Sequence, residues 1–349
     1  MMLRAARPGF PASGRHARSL LALAALSSAL CLATGCSRDD RPARNPTRAS
    51  TAPGLALIDS APRLVVFHAG SLAGPMRAAL DSFTAHTGTE VATMSAGSLE
   101  AARRITELQD VPDVIAVADD EVFPSLLMPD DVSGYFVFAR NRMVIAVSPR
   151  HAREQIDSTN WYRALSDSLI EVGRSDPNLD PAGYRALIVL QLAVRAYHNP
   201  SLARDVLARS GPENVRPKSS DLLALLDLGA IDYAFVYESS ARAAGARWIR
   251  LPSSIDLGDE AKAADYATAS VVVKGRTRGQ TITMRGAPIH YAMAVPRKAP
   301  HPAAASDLAA FLLSDAGLRA MRDAGLPTLH PRYVGASPPA WSAALTPHP

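Results

Sequence analysis

A chain of 349 residues is too long for one small domain and suits one large or two medium ones. Hydrophobic residues make up 48% and charged residues 20%, which excludes a disordered chain, and aromatics at 6% argue against a stacking platform. The formal charge of +4 comes from Arg4, Arg7, Arg15 and Arg18, which share residues 1–35 with no acid; beyond them 33 basic residues face 33 acidic ones, leaving no surplus for nucleic acid.

The N-terminus reads as an address. Arg4 to Arg18 form a basic region and Leu20 to Leu32 an apolar run, shorter than the ~20 residues of a membrane-spanning helix. Ala33-Thr34-Gly35-Cys36 follows, and small residues leading directly into a cysteine resemble the bacterial lipoprotein box. Residues 1–35 are therefore expected to be a lipoprotein signal peptide and Cys36 the lipidated residue. Cys31 lies inside the signal, so the exported chain would carry no disulfide. Residues 36–62, mixed in Arg, Asp, Pro, Ser and Thr without periodicity, read as a flexible tether.

From there strands and helices alternate. Leu64 to Phe67 predicts a strand. Ser71 to His86 predicts a helix with Met76, Leu80 and Phe83 on one face and Gly88 past its end. Glu90 to Thr93 is a second strand, Ser98 to Gln109 a second helix with Ala101, Ile105 and Leu108 together, and Asp113 to Val117 a third strand. This rhythm implies a mostly parallel sheet with right-handed crossovers. Strands follow at Tyr135–Ala139 and Met143–Val147. The stretch Pro181–Tyr197 is a helix apolar nearly all round, hence buried. Helices at Leu202–Arg209 and Asp221–Leu228, a strand at Ile231–Tyr237, β-like runs at Ser270–Val273 and Pro288–Val295, and helices at Ala303–Leu313 and Asp315–Ala324 complete the series. The expected fold is α/β in two lobes.

One local pattern recurs: a strand, a short Gly- or Ser-containing turn, and a helix opening on a small polar residue. It occurs at His68-Ala69-Gly70-Ser71-Leu72, at Ser95-Ala96-Gly97-Ser98-Leu99, at Asp180-Pro181-Ala182-Gly183-Tyr184-Arg185 and at Ser219-Ser220-Asp221. Helix N-termini carry free N–H donors and partial positive charge, so several of them facing one cleft could hold an oxyanion without Lys or Arg. Each such residue taken singly is a helix cap; the duplicated Ala-Gly-Ser-Leu carries the joint reading. Competing constellations are thin. There is no G-x-S-x-G elbow, Walker loop or G-x-G-x-x-G. His68 could serve Ser71 as a base, or be structural. Asp119-Asp120-Glu121 could bind a hard cation, or cap the next segment.

Through these residues the chain resembles the extracellular molybdate/tungstate-binding proteins of ABC importers, especially the tungstate-type branch. The matching stretches are Phe67–Leu72, Ala96-Gly97-Ser98, Ile105–Leu108, Phe138-Ala139-Arg140-Asn141, Asn160-Trp161-Tyr162, Asp180–Arg185, Asp232–Tyr237 and Leu251–Asp259, in order over about residues 63–325. The resemblance implies a type II periplasmic binding protein fold: two lobes joined by two crossing strands, near Met143–Val147 and Pro288–Val295. Lobe one is then residues 63–142 plus 288–349, and lobe two residues 143–287.

The resemblance also implies the site. Ser71 and Ser98 would donate from lobe one and Tyr237 from lobe two, the Ala182–Gly183 backbone would supply helix-end N–H groups, and Asp180 would approach the Mo or W centre of the bound oxyanion directly. Ser219 stands where that branch carries a second metal-approaching Glu, which puts six-coordinate ligation in question. The function implied is that of a monomeric solute-binding lipoprotein, not an enzyme. It would need no cofactor and would deliver tungstate or molybdate to an ABC permease and its ATPase. The alternatives are another oxyanion such as sulfate or phosphate, a small organic acid, an exported hydrolase using Ser71 and His68, or a scaffold lipoprotein.

Overall fold

The structure is a computed structural model that describes residues 63–345, residue 152 excepted. The expected signal peptide, Cys36, the tether and the last four residues lie outside the described part. In chain order the elements are β1 (Leu64–Ala69), α1 (Ala73–Thr87), β2 (Val91–Ala96), α2 (Ser98–Leu108), β3 (Val114–Val117), β4 (Gly134–Asn141), β5 (Met143–Val147), α3 (Trp161–Ala164), β6 (Val172–Ser175), α4 (Pro181–Ala196), α5 (Leu202–Leu207), β7 (Val215–Arg216), α6 (Ser220–Asp227), β8 (Tyr233–Tyr237), α7 (Glu238–Ala243), β9 (Arg247–Arg250), α8 (Ala263–Tyr266), β10 (Ser270–Lys274), β11 (Thr281–Arg285), β12 (Ile289–Ala294), α9 (Pro302–Leu313), α10 (Asp315–Asp323) and β13 (Thr328–Gly335). Gly88, Gly229 and Gly325 stop their helices in the left-handed conformation that glycine adopts without penalty.

Two sheets organise these elements. The first has the order β13-β4-β12-β3-β1-β2 and the second β7-β6-β8-β5-β9. The chain leaves the first sheet at Asn141, enters the second at Met143 after one residue, and returns to the first at Ile289, which pairs with Asn141 itself. Both sheets are mixed rather than mostly parallel. In the first, β1 pairs in parallel with β2 and β3, while β12, β4 and β13 run antiparallel. In the second, β6 pairs in parallel with β7 and β8, while β5 is antiparallel to both β8 and β9.

The two parallel triplets share one topology: β2-β1-β3 in the first sheet and β7-β6-β8 in the second. In each, the chain steps one way to an edge strand and then back past its starting strand. Right-handed crossovers therefore place successive helices on opposite faces, and a crevice opens at the carboxyl ends where the steps diverge. Strands covered on both faces need apolar residues throughout, and Val114–Val117 and Met143–Val147 are buried at every position.

Some local expectations change. A 3-10 turn over Gly70–Leu72 precedes α1, so that helix starts at Ala73 rather than Ser71. Leu108, expected beside Ala101 and Ile105, is 65% exposed at the end of α2. Strands β6, β7, β9, β11 and β13 and the short helices α3, α7 and α8 lie outside the expected series.

The sheets are brought together by main chain. A turn after β6 carries the Leu179 carbonyl to the start of α2, where it accepts from the N–H groups of Leu99 (3.1 Å) and Glu100 (3.2 Å). A Cβ on Gly97 would lie 2.2 Å from that oxygen, so only glycine allows the approach. The hairpin β10–β11 adds a clasp. Thr106 donates to the Arg276 carbonyl at 2.9 Å, Arg276 pairs with Asp131 (2.9 Å) and Asp130 (3.2 Å), and the Lys274 N–H donates to Asn178 Oδ1 at 3.1 Å.

Gly97 has an ordinary extended backbone, φ −67° and ψ 146°. Alanine there strains no dihedral and acts only by pushing Leu179 away. Gly97→Ala is expected to enlarge the radius of gyration in small-angle scattering while leaving the far-ultraviolet dichroism unchanged. A scattering curve identical to the parent's would show that the lobes meet without this contact.

Candidate functional site

The six predicted site residues other than Cys36 all lie at or just past strand ends. Ser71 lies in the turn after β1 and Ser98 opens α2 after β2. Asp180 caps α4 after β6, with Gly183 one turn on. Ser219 follows β7, and Tyr237 is the last residue of β8. These are the carboxyl ends of the parallel triplets, where crevices form.

Contacts across the sheets unite them. Leu179 sits on the start of α2, which brings its neighbour Asp180 against Gly97 and Ser98: a Cβ on Gly97 would be 3.1 Å from Asp180 Cα. Likewise a Cβ on Gly70 would be 2.7 Å from Ser220 Oγ. Asp180 is buried. Its Oδ1 accepts from the Ala182 N–H at 3.3 Å and its Oδ2 from the Ser219 N–H at 2.7 Å, so one carboxylate joins the starts of α4 and α6. Burial raises its pKa, opposed by the backbone hydrogen bonds from Ser219 and Ala182.

The helix ends differ from the sequence expectation. Their N–H groups are met largely by the chain's own oxygens: Leu99 and Glu100 by Leu179, Ala182 and Ser219 by the Asp180 carboxylate, and Gly183 by the Asp180 carbonyl at 2.9 Å. Buried N–H groups require such partners. Gly183 is glycine for packing, since a Cβ there would lie 2.5 Å from the Ser175 carbonyl oxygen.

Hydroxyls remain, and their polarity can be read. The Ser98 oxygen accepts from the Ala118 N–H at 3.0 Å. The Tyr237 oxygen accepts from Arg185 Nη1 at 2.8 Å, and a guanidinium can only donate. The Ser71 oxygen accepts from the Tyr291 hydroxyl at 2.8 Å. Each of the three is thus an acceptor toward the protein and keeps its proton to give elsewhere. Tyr237 and Tyr291 stand edge to face, 5.9 Å between ring centres. Burial lifts the Tyr237 phenol well above its usual pKa and the Tyr291 phenol to about 12, so both stay protonated.

Arg185 was read only as the end of a motif, yet it joins the two sheets. Buried on α4, it donates to the Ala118 carbonyl (2.5 Å), to Tyr237, and to Asp119 Oδ1 (3.0 Å) just past β3. Burial opposes its charge, but Asp119 and Tyr237 outweigh that and hold its pKa above the ordinary range. Burial pushes the Asp119 carboxyl up to about 6 against the pull of Arg185. Asp119 also accepts from Tyr184 and from the Glu121 N–H (3.1 Å), which is the capping alternative. Among the described residues no group of three or more His, Cys, Asp or Glu is placed to hold a metal ion. His68 Nδ1 faces the Ala69 carbonyl at 2.9 Å while Ser71 bonds Tyr291, so the pair needed for a serine nucleophile is not assembled. A charged residue within the apolar first half of the Pro181–Ala196 helix was the signal that could have marked Arg185.

Residues 64–326 match the family model described as bacterial extracellular solute-binding protein. An uncharacterised solute-binding protein of Petrotoga mobilis is 40% identical over 270 residues, covering 77% of this chain and 84% of that one. The molybdate/tungstate-binding protein WtpA of Pyrococcus abyssi is 32% identical over 289 residues, covering 75% and 83%. Among solved structures, the sulfate-binding protein SubI of Mycobacterium tuberculosis superposes with a TM-score of 0.52 at 15% identity, covering 76% and 86%, a likeness of fold alone. With three quarters of its length matched, and with two lobes of the type II periplasmic binding protein fold, the chain belongs to the bacterial extracellular solute-binding proteins.

Proposed function

We propose that this solute-binding protein captures a tetrahedral oxyanion, tungstate or molybdate, between its lobes and delivers it to an ABC permease. The observation that carries the reading is that the Ser71, Ser98 and Tyr237 oxygens each accept a hydrogen bond from a protein donor, so that each hydroxyl proton is left for a guest. Hydroxyls engaged in that way have their protons to offer, which suits a fully ionised oxyanion. The name borne by the Pyrococcus abyssi relative supports the choice of tungstate or molybdate.

Asp180 is the residue that separates metal oxyanions from sulfate. A carboxylate beside a dianion is repulsive unless it approaches an electron-poor Mo or W centre directly. With Ser219 in place of a second acid, that approach would come from one carboxylate. We assign lobe one to residues 63–142 with 288–349 and lobe two to 143–287. We further assign a monomeric protein exported by its first 35 residues and anchored through lipidated Cys36. No helix among the described residues is long and apolar enough to cross a membrane. Binding without turnover fits the His68 and Ser71 geometry better than hydrolysis.

Thermal-shift titration against tungstate, molybdate, sulfate and phosphate tests the reading. At about a thousandfold excess over Kd a ligand stabilises by ~4 kcal/mol, and no shift with any of the four would remove the proposal. Ser71→Ala and Tyr237→Phe are each expected to weaken tungstate binding by about 1–3 kcal/mol in calorimetry. Asp180→Asn should cost tungstate more affinity than sulfate; equal losses would reduce the carboxylate to a helix cap.

The raised phenol pKa values set a pH dependence. An ionised Tyr237 would become an acceptor and repel an anion, but its pKa lies above 10, so the neutral donor persists where a free tyrosine has lost its proton. Tungstate affinity should therefore stay level through about pH 10, where a free tyrosine is half ionised, and a fall centred at or below that pH would contradict the assignment.

A further inference from the structure

Asn141 ends β4 at the point where the chain passes between sheets, and it is buried. Its hydrogen bonding is complete and has one orientation. Oδ1 accepts from two backbone N–H groups, those of Arg142 at 3.0 Å and Ser239 at 3.4 Å. Backbone N–H groups cannot accept, so the other amide atom must be the nitrogen. That nitrogen has two protons and two partners: Ser239 Oγ at 2.7 Å and Tyr291 Oη at 3.1 Å.

The direction passes along the chain of bonds. Tyr291 accepts a hydrogen bond from Asn141 and donates its own proton in a hydrogen bond to Ser71, 2.8 Å away. Ser71 then has its oxygen occupied, and its proton is the one left to give. Ser239 lies in α7, directly after Tyr237, so the amide that sets this direction in the first lobe is also bonded to the second.

We propose that Asn141 is a positioning residue which, through Tyr291, fixes Ser71 as a hydrogen-bond donor to the bound oxyanion. This rests on the oxyanion-binding reading above. Asn141 and Tyr291 touch no ligand in this scheme; they set which way the serine proton points. Without them Ser71 keeps its place but turns freely, and part of its binding contribution goes to orienting it.

A double-mutant cycle on the full chain, read by calorimetry with tungstate and with sulfate, tests the relay. Tyr291→Phe keeps the ring and removes the bond to Ser71. Asn141→Asp keeps the acceptor for the two backbone N–H groups and removes both donors. Each is expected to weaken binding roughly tenfold, the scale of one hydrogen bond to a charged group. In a Ser71→Ala background, Tyr291→Phe should change affinity by less than about twofold, and Asn141→Asp should lose most of its effect, since a relay has no purpose without its end. A purely structural role predicts that the losses multiply instead, and that result overturns the proposal, as does unchanged affinity in Ser71→Ala alone. Melting curves identify any variant that fails to fold, and the other arm of the cycle then decides. If the parent protein binds tungstate or sulfate but the cycle is additive, only the relay falls. If the parent binds neither, the binding reading falls and the relay with it.

Discussion

A single buried guanidinium, beside the main-chain contact of Gly97 with Leu179, ties the two lobes together. Arg185 cannot shed its charge and can only donate, so folding must surround it with acceptors. It finds them on both sides: the Ala118 carbonyl and Asp119 in the first lobe, the Tyr237 phenol in the second. Removing one member of such a pair strands a charge away from water, at a cost on the order of 3–5 kcal/mol. Asp119 pairing and Tyr237 polarity thus share one cause.

The same logic extends through the site. Main-chain N–H groups at the helix ends are answered by the chain's own carbonyl and carboxylate oxygens. The groups left with something to offer are hydroxyls, and each is oriented from behind by a donor: a backbone amide for Ser98, an arginine for Tyr237, a tyrosine for Ser71. Partial charge from helix dipoles still reaches the region, but directed side-chain protons give it its chemical sense. The shared topology of the parallel triplets explains why both lobes contribute in kind: the same strand order presents equivalent turns at equivalent corners.

Much of this was legible in the residues. The β1-α1-β2-α2-β3 series follows from apolar runs broken by Gly and Ser turns, and Asp180 with Pro181 marked the start of α4 correctly. What escaped has physical reasons. Strand β13 contains Pro331 beside a register shift and lies at a sheet edge, the place where proline is tolerated and apolar patterning fades. Strand β9 is four residues with an arginine at each end, also on an edge. Strand β6 is central but short, Val-Gly-Arg-Ser, with no alternation to read. The site was half visible. Serines and an aspartate in repeated turns stood out, whereas Asn141, Tyr291 and Asp119 act through partners between 65 and 220 residues away in the chain (Asp119 with Tyr184, Tyr291 with Ser71), which spacing does not reveal.

The meeting of Gly97 with Leu179 has one more implication. Both faces of that contact are main chain, so no rotamer change can widen it. With the lobes in this contact, the height of the space between them is set by peptide geometry and not by side-chain rotamers. A guest too tall for that space would keep Leu179 off Gly97, however well its chemistry suited the hydroxyls.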